Sequence, residues 1–239
     1  MSSNRVLLKV KRYKQRPSEC ASAAVATLAN FYKPEIDYKQ VRKLTHEMFP
    51  DSTGSGLFTA EQTQLLNRLG FTDITIVTAD LKVVDFAWRN LSTEKLLDKL
   101  KRFRNYHRRH QLTDASNYES YLVSASIVKW LQAPGNNNQL IIDYEFPKYI
   151  RKCLDAGRPV GAAFNWTSLF KKGKGNDIWG SPEIHAIVIR GYDEKNIYIV
   201  DSHHQFYKGR LKKYASGFYK LSWENFLVNV PAGDLILIN

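Results

Sequence analysis

The chain has 239 residues, 44% of them hydrophobic and 13% aromatic, with 35 Lys and Arg against 23 Asp and Glu and a net charge of +12. That is apolar material enough for a sizeable core, and two cysteines, Cys20 and Cys153, argue against a secreted disulfide framework. Residues 6–10 are too short and too interrupted by charge for a signal peptide, and no run reaches the ~18 apolar residues of a membrane helix, so the expected setting is a reducing cytoplasm.

Residues 21–32 (ASAAVATLANFY) are Ala-rich and free of Gly and Pro, which predicts a buried helix, with Ser18 or Glu19 at its start and Pro34 at its end. Residues 37–48 form a second helix that Asp37 caps, and residues 50–56 a loop. A third helix over 59–69 places Leu65, Leu66 and Leu69 on one face and stops at Gly70; residues 73–78 alternate as a strand does. Residues 93–110 predict a strongly basic helix with the apolar stripe Leu96, Leu97, Leu100 and Phe103, and 121–131 a second helix before the loop at 134–138. A strand at 140–144 and a helix at 145–156 follow. The last third is β-rich, with strands expected at 160–164, 184–190, 196–200, 217–221 and 234–239, and a short helix at 223–228 that Ser222 caps. Helices first and an antiparallel sheet after them make an α+β protein, read as one domain over 1–239.

Cys20 stands at the start of the Ala-rich helix, where the positive end of the helix dipole favours a thiolate, the nucleophilic form of sulfur. A lone cysteine is more often an inert core residue, so the surroundings decide. Gln15, five residues upstream, carries an amide that can reach back to donate to an oxyanion. His185 opens an apolar strand, Gly191 to Lys195 make a turn, and the next strand ends at Asp201. In an antiparallel hairpin the start of one strand lies beside the end of the next, which brings His185 and Asp201 together across sixteen positions. A carboxylate beside an imidazole orients it and stabilises its charged form. Asp193, in the turn, is expected to bond local backbone. His203 and His204 read as exposed loop residues, His107 and His110 share a helical face among bases that would repel a cation, and no metal or cofactor is expected. Cys153 reads as a buried helix residue.

Gln15, Cys20 and the Ala-rich helix, then H-A-I-V-I-x-G-Y-D and a late V-D, resemble the bacteriocin-processing cysteine peptidases, which cut leader peptides after a double glycine. Ala21 stands where that family usually has glycine. The resemblance implies a papain-like fold, Cys20 as nucleophile, His185 as general base and acid, Asp201 as its orienter, Gln15 as oxyanion donor, and a peptide or protein substrate. No transporter segments accompany these motifs, so a stand-alone member is expected. Residues 81–138 lie outside the resemblance and read as a basic helical insertion between two halves of the core. Lys95, Lys99, Lys101, Arg102, Arg104, Arg108 and Arg109 there offer a docking face for an acidic partner, or a solvated face. A second basic loop, residues 171–176, precedes His185. Other readings are a papain-fold effector or toxin acting as an amidase or deamidase, and a non-catalytic module binding nucleic acid or protein.

Overall fold

In the computed structural model, which describes residues 5–52, 56–110, 115–165, 184–203, 212, 214–230 and 233–239, the first helix is the hub. This helix, α1 (Cys20–Tyr32), buries ten of its thirteen residues, Ala21, Ala23, Ala24, Ala26 and Ala29 among them. A helix apolar all round belongs in a core, and small side chains let it lie close on a sheet. Gly161 marks the contact, because a Cβ there would come within 2.8 Å of Leu28 Cδ1.

Around it run β1 (Val6–Leu7), α2 (Tyr38–Met48), α3 (Thr59–Arg68), β2 (Ile74–Thr78), α4 (Thr93–His110), α5 (Ala115–Leu131), β3 (Gln139–Ile142), α6 (Phe146–Asp155), β4 (Val160–Asn165), β5 (Ile184–Tyr192), β6 (Asn196–Val200), β7 (Phe218–Ser222), α7 (Trp223–Asn229) and β8 (Asp234–Ile238). Asp37 accepts from Gln40 N at 2.8 Å and Ser222 from Asn225 N at 3.2 Å, so both expected caps are made. Strand order is β3-β2-β8-β4-β5-β6-β7, with β1 paired to the far end of β5. Side chains alternate across the sheet with the strand period of two. Ala186, Val188, Ile236 and Ile238 face α1, Leu65 and Leu66; Ile187, Ile189, Leu235 and Leu237 face Ile150, Leu154 and Phe226 on the opposite side.

The expected antiparallel C-terminal sheet is present, with β4 through β8 pairing antiparallel throughout, and it reaches further than expected. β2 and β3, from the first half of the chain, join it, and they pair with each other in parallel, Ile76 opposite Leu140. Parallel neighbours need a long crossover, and the α4–α5 pair stands between them in the chain. Leu96 and Leu100 of α4 are buried; Leu97 and Phe103 are half-buried. α5 begins at Ala115, earlier than residue 121. Asn117, Tyr118 and Ser120 are weak helix formers, and packing against α4, with His107 Nδ1 2.7 Å from Asn117 Oδ1, carries the extra turns.

One half-buried acid sets a pH response for the fold. Asp234, opening β8 beside Thr78, has its carboxyl pushed up to about 6 by burial, with Asp80 pushing the same way against hydrogen bonds from Thr59 and Thr78. An acid raised in the folded state costs stability once ionised, so stability is expected to fall as pH climbs from about 4 through 6. Asp234→Asn should flatten that fall and raise the midpoint at pH 8, by up to roughly 3 kcal/mol at the 1.36 kcal/mol per pKa unit rate. Denaturant melts of both proteins at pH 4 and 8 check this; equal losses in both would refute it.

Candidate active site

The segment before α1 is shaped by a tight turn. Glu19 N donates to Arg16 O at 3.1 Å across Pro17 and Ser18, and Ser18 has φ of 61°. Pro at the second place and positive φ at the third are the pattern of a type II turn. The Ser18 or Glu19 cap expected from sequence is not made: Glu19 occupies the N-cap position without a side-chain cap bond. Its carboxylate instead takes Arg42 Nε at 2.8 and 3.0 Å and the Tyr38 hydroxyl, pinning the start of α1 to α2.

Cys20 is then the first residue of α1. Its thiol hydrogen-bonds the His185 side chain and the backbone of Ala186 and Ala21. Burial pushes the thiol up, but the His185 bond and charge, with the two backbone donors, bring it below its ordinary value. Cys153, by contrast, is buried in α6 and its thiol is pushed up by that burial. His185 is the second residue of β5, opposite Phe164 of β4. Its Nε2 lies 2.7 Å from Asp201 Oδ1. An ionised carboxylate only accepts, so Nε2 carries the proton and Nδ1 is left toward the thiol. Burial pulls the imidazole down; the Asp201 charge and hydrogen bond, with Cys20, outweigh it and push the ring up to about 10. Asp201 itself, fully buried, is pushed up by burial but held well below the carboxylate range by His185, by His203 N at 2.7 Å and by the Tyr219 hydroxyl at 2.8 Å.

Gln15 is buried at the same place. Its backbone N donates to Ser202 O at 2.8 Å, and its Oε1 accepts from Ser202 Oγ at 2.8 Å. With the carbonyl end occupied, the amide NH₂ is the end that meets no partner among the described residues. Arg12 clamps the same loop, Nε to Asp201 O at 2.6 Å and Nη2 to His203 O at 2.9 Å. Gly217, at φ 72°, makes room for it: a Cβ there would stand 1.9 Å from Arg12 Nε.

The four expected residues, Gln15, Cys20, His185 and Asp201, thus converge. Asp193 does what a turn aspartate does, accepting from Lys195 N, Asn196 N and Tyr198 OH at 2.7–2.8 Å. His203 departs from the expected exposed loop: it is 8% exposed and its ring stands edge to face with His185 at 5.7 Å. The Arg12 clamp, with Asp201 N donating to Gly217 O at 2.8 Å, holds residues 201–203 against the site. His204 and the basic loop at 171–176 lie outside the described residues. Sequence reasoning missed Tyr219, Arg12, Ser202 and Phe164, whose ring meets that of His185 at 6.1 Å. Ser202, following Asp201 directly, was the one with a local signal. Among the described residues no group of three or more His, Cys, Asp or Glu stands ready to hold a metal, and no helix is long and apolar enough to cross a membrane.

A thiol at a helix N-terminus, hydrogen-bonded to an imidazole that a carboxylate backs, is the arrangement found in papain-type cysteine peptidases. The chain belongs to the Peptidase_C39 like family, whose model matches residues 7–227. A crystal structure from Bacillus anthracis, described as a C39-like peptidase, overlays at a TM-score of 0.48 with 14% identity, covering 99% of this chain and 98% of that one. No curated protein matches the sequence.

Proposed function

We propose that the protein is a cysteine peptidase that cleaves peptide bonds through a thioester on Cys20. The observation that carries this is the hydrogen-bonded chain Cys20–His185–Asp201, with the thiol held low and the imidazole held high. Together these shifts favour a thiolate–imidazolium pair at neutral pH. The thiolate attacks the scissile carbonyl, forming the S–C bond. His185 then gives its proton to the leaving amine as the C–N bond breaks. Neutral His185 next takes a proton from water, which attacks the thioester and releases the carboxylic acid and the thiolate. Asp201 holds the ring by Nε2 throughout.

The oxyanion of each tetrahedral intermediate needs donors. Two lie at hand: the Gln15 amide, which Ser202 turns by holding its carbonyl, and the Cys20 N–H, which as a first-turn amide has no acceptor within the helix. Gln15→Ala is expected to lower kcat by roughly 10²–10³ with little change in KM, the usual loss for one oxyanion donor. Ser202→Ala should cost less, since it frees the amide to turn without removing it. A Gln15→Ala effect confined to KM would remove Gln15 from this role.

Resemblance to the bacteriocin-processing enzymes makes a leader peptide ending in double glycine the first substrate to try. A peptide-library cleavage screen comparing the intact protein with Cys20→Ala tests the whole reading. Cleavage that survives in the variant would refute it. Cysteine-dependent cleavage away from double glycine would keep the peptidase and discard the leader.

A further inference from the structure

The basic helix α4 divides into two faces that its composition hides. Seven Lys and Arg stand against two acids over its eighteen residues. At 100° per residue, Lys95, Lys99, Arg102, Tyr106 and Arg109 fall on one stripe, and all five are exposed. Lys101, Arg104 and Arg108 lie on another side, where Lys101 and Arg104 are half-buried. Leu96 and Leu100 point away from the stripe into the core. The one acid bonded within the stripe is Asp98, 2.9 Å from Arg102 in a pair open to solvent, which is worth little.

The aromatic member is placed unusually. Tyr106 is 58% exposed, and its ring lies over that of His110 at 4.3 Å with 30° between the planes. His107, beneath it, is fixed by Asn117 of α5 and by the Phe103 ring at 4.2 Å. A tilted two-ring stack therefore sits between Arg102 and Arg109, with Lys99 and Lys95 further along the same stripe, on a helix packed against α5.

We propose that this stripe binds single-stranded nucleic acid, with Lys95, Lys99, Arg102 and Arg109 on phosphates and a base stacked on Tyr106–His110. The chemistry selects this partner over others of the same charge. Phosphates give the cations their complement, and a base gives the exposed ring its own. An acidic polypeptide offers the charge without the stacking face. A membrane surface would call for an apolar side turned outward, and the leucines of α4 are turned in. The stripe runs about 21 Å along the helix axis.

The test is fluorescence anisotropy of a labelled twelve-residue oligothymidylate on the full chain over a salt series, with polyglutamate and phosphatidylserine vesicles as competitors. Four phosphate contacts on a single strand predict that the slope of log K against log salt becomes less negative by about 3 in K95Q/K99Q/R102Q/R109Q. Tyr106→Ala should weaken binding between about 5-fold and about 150-fold with the slope unchanged, which is the mark of stacking. Neither variant touches the Cys20 site, so an unchanged rate of Cys20 alkylation certifies the fold of both. Absence of binding at low salt, an unaltered slope, an unaffected Tyr106→Ala, or competition by polyglutamate or vesicles at equal charge would each overturn the proposal.

Discussion

Cys20→Ala is expected to abolish peptide cleavage, and His185→Ala to come close, each losing on the order of 10⁶ in kcat as removal of nucleophile or base from such a unit does. The two losses should not multiply in the double variant, because thiol and imidazole act as one pair. Iodoacetamide followed by mass analysis reads the same pair without a substrate. Cys20 should be labelled first, since its thiol is held below the ordinary value, whereas Cys153 is 3% exposed and its thiol is raised. In His185→Ala the preference for Cys20 should shrink toward that of an ordinary thiol. Preferential labelling of Cys153 in the intact protein, or full activity in Cys20→Ala, would end the case for a cysteine hydrolase.

The second large effect belongs to Asp201. Asp201→Ala removes the acceptor for His185 Nε2, His203 N and the Tyr219 hydroxyl together, and a loss on the order of 10⁴ in kcat is expected for the third member of a triad. Asp201→Asn should be milder. Its amide oxygen can still accept from His185 and His203, and its NH₂ can donate to Tyr219, so geometry survives while the charge goes. That charge is the largest influence holding His185 up. The working pair needs a thiolate, present above the lowered Cys20 value, and an imidazolium, present below about 10. Asp201→Asn should therefore bring the alkaline limb of kcat/KM down from near pH 10 and move the acid limb up, narrowing the window from both sides. A profile of unchanged width with a lowered plateau would mean that Asp201 acts by position alone.

How far the site was legible before the structure depends on what each residue needed. His185 and Asp201 share a hairpin whose turn, Gly191 to Lys195, is readable, and antiparallel geometry places the strand ends together. The readable turn brought the right partners together even though the β5–β6 register shifts between Ile189 and Gly191. Cys20 and Gln15 were legible because the helix start is local. Tyr219 and Arg12 were not. Tyr219 reaches Asp201 from β7, and Arg12 reaches it from the first strand's side of the chain, by contacts that leave no periodic trace in either segment. β1, two residues long, and β3, a short apolar run, are too brief to announce their partners, so the parallel pair and the role of α4 and α5 as its crossover became visible only in three dimensions. His203 was misjudged because adjacency to another histidine in a polar stretch carries no information on burial.

The bonds that assemble this site span almost the whole chain: Gln15 to Ser202 across 187 positions, Arg12 to Asp201 across 189 and Arg12 to His203 across 191. Such long closures form late and slowly. Cys20 is synthesised well before its partners, since His185 follows it by 165 positions and Asp201 by 181. Until they are made, the thiol has neither the imidazole nor the carboxylate beside it, and on the proposed mechanism a half-made copy does not cleave. On the proposed mechanism the β5–β6 hairpin is thus the arming element: the nucleophile waits on the last-made third of the fold.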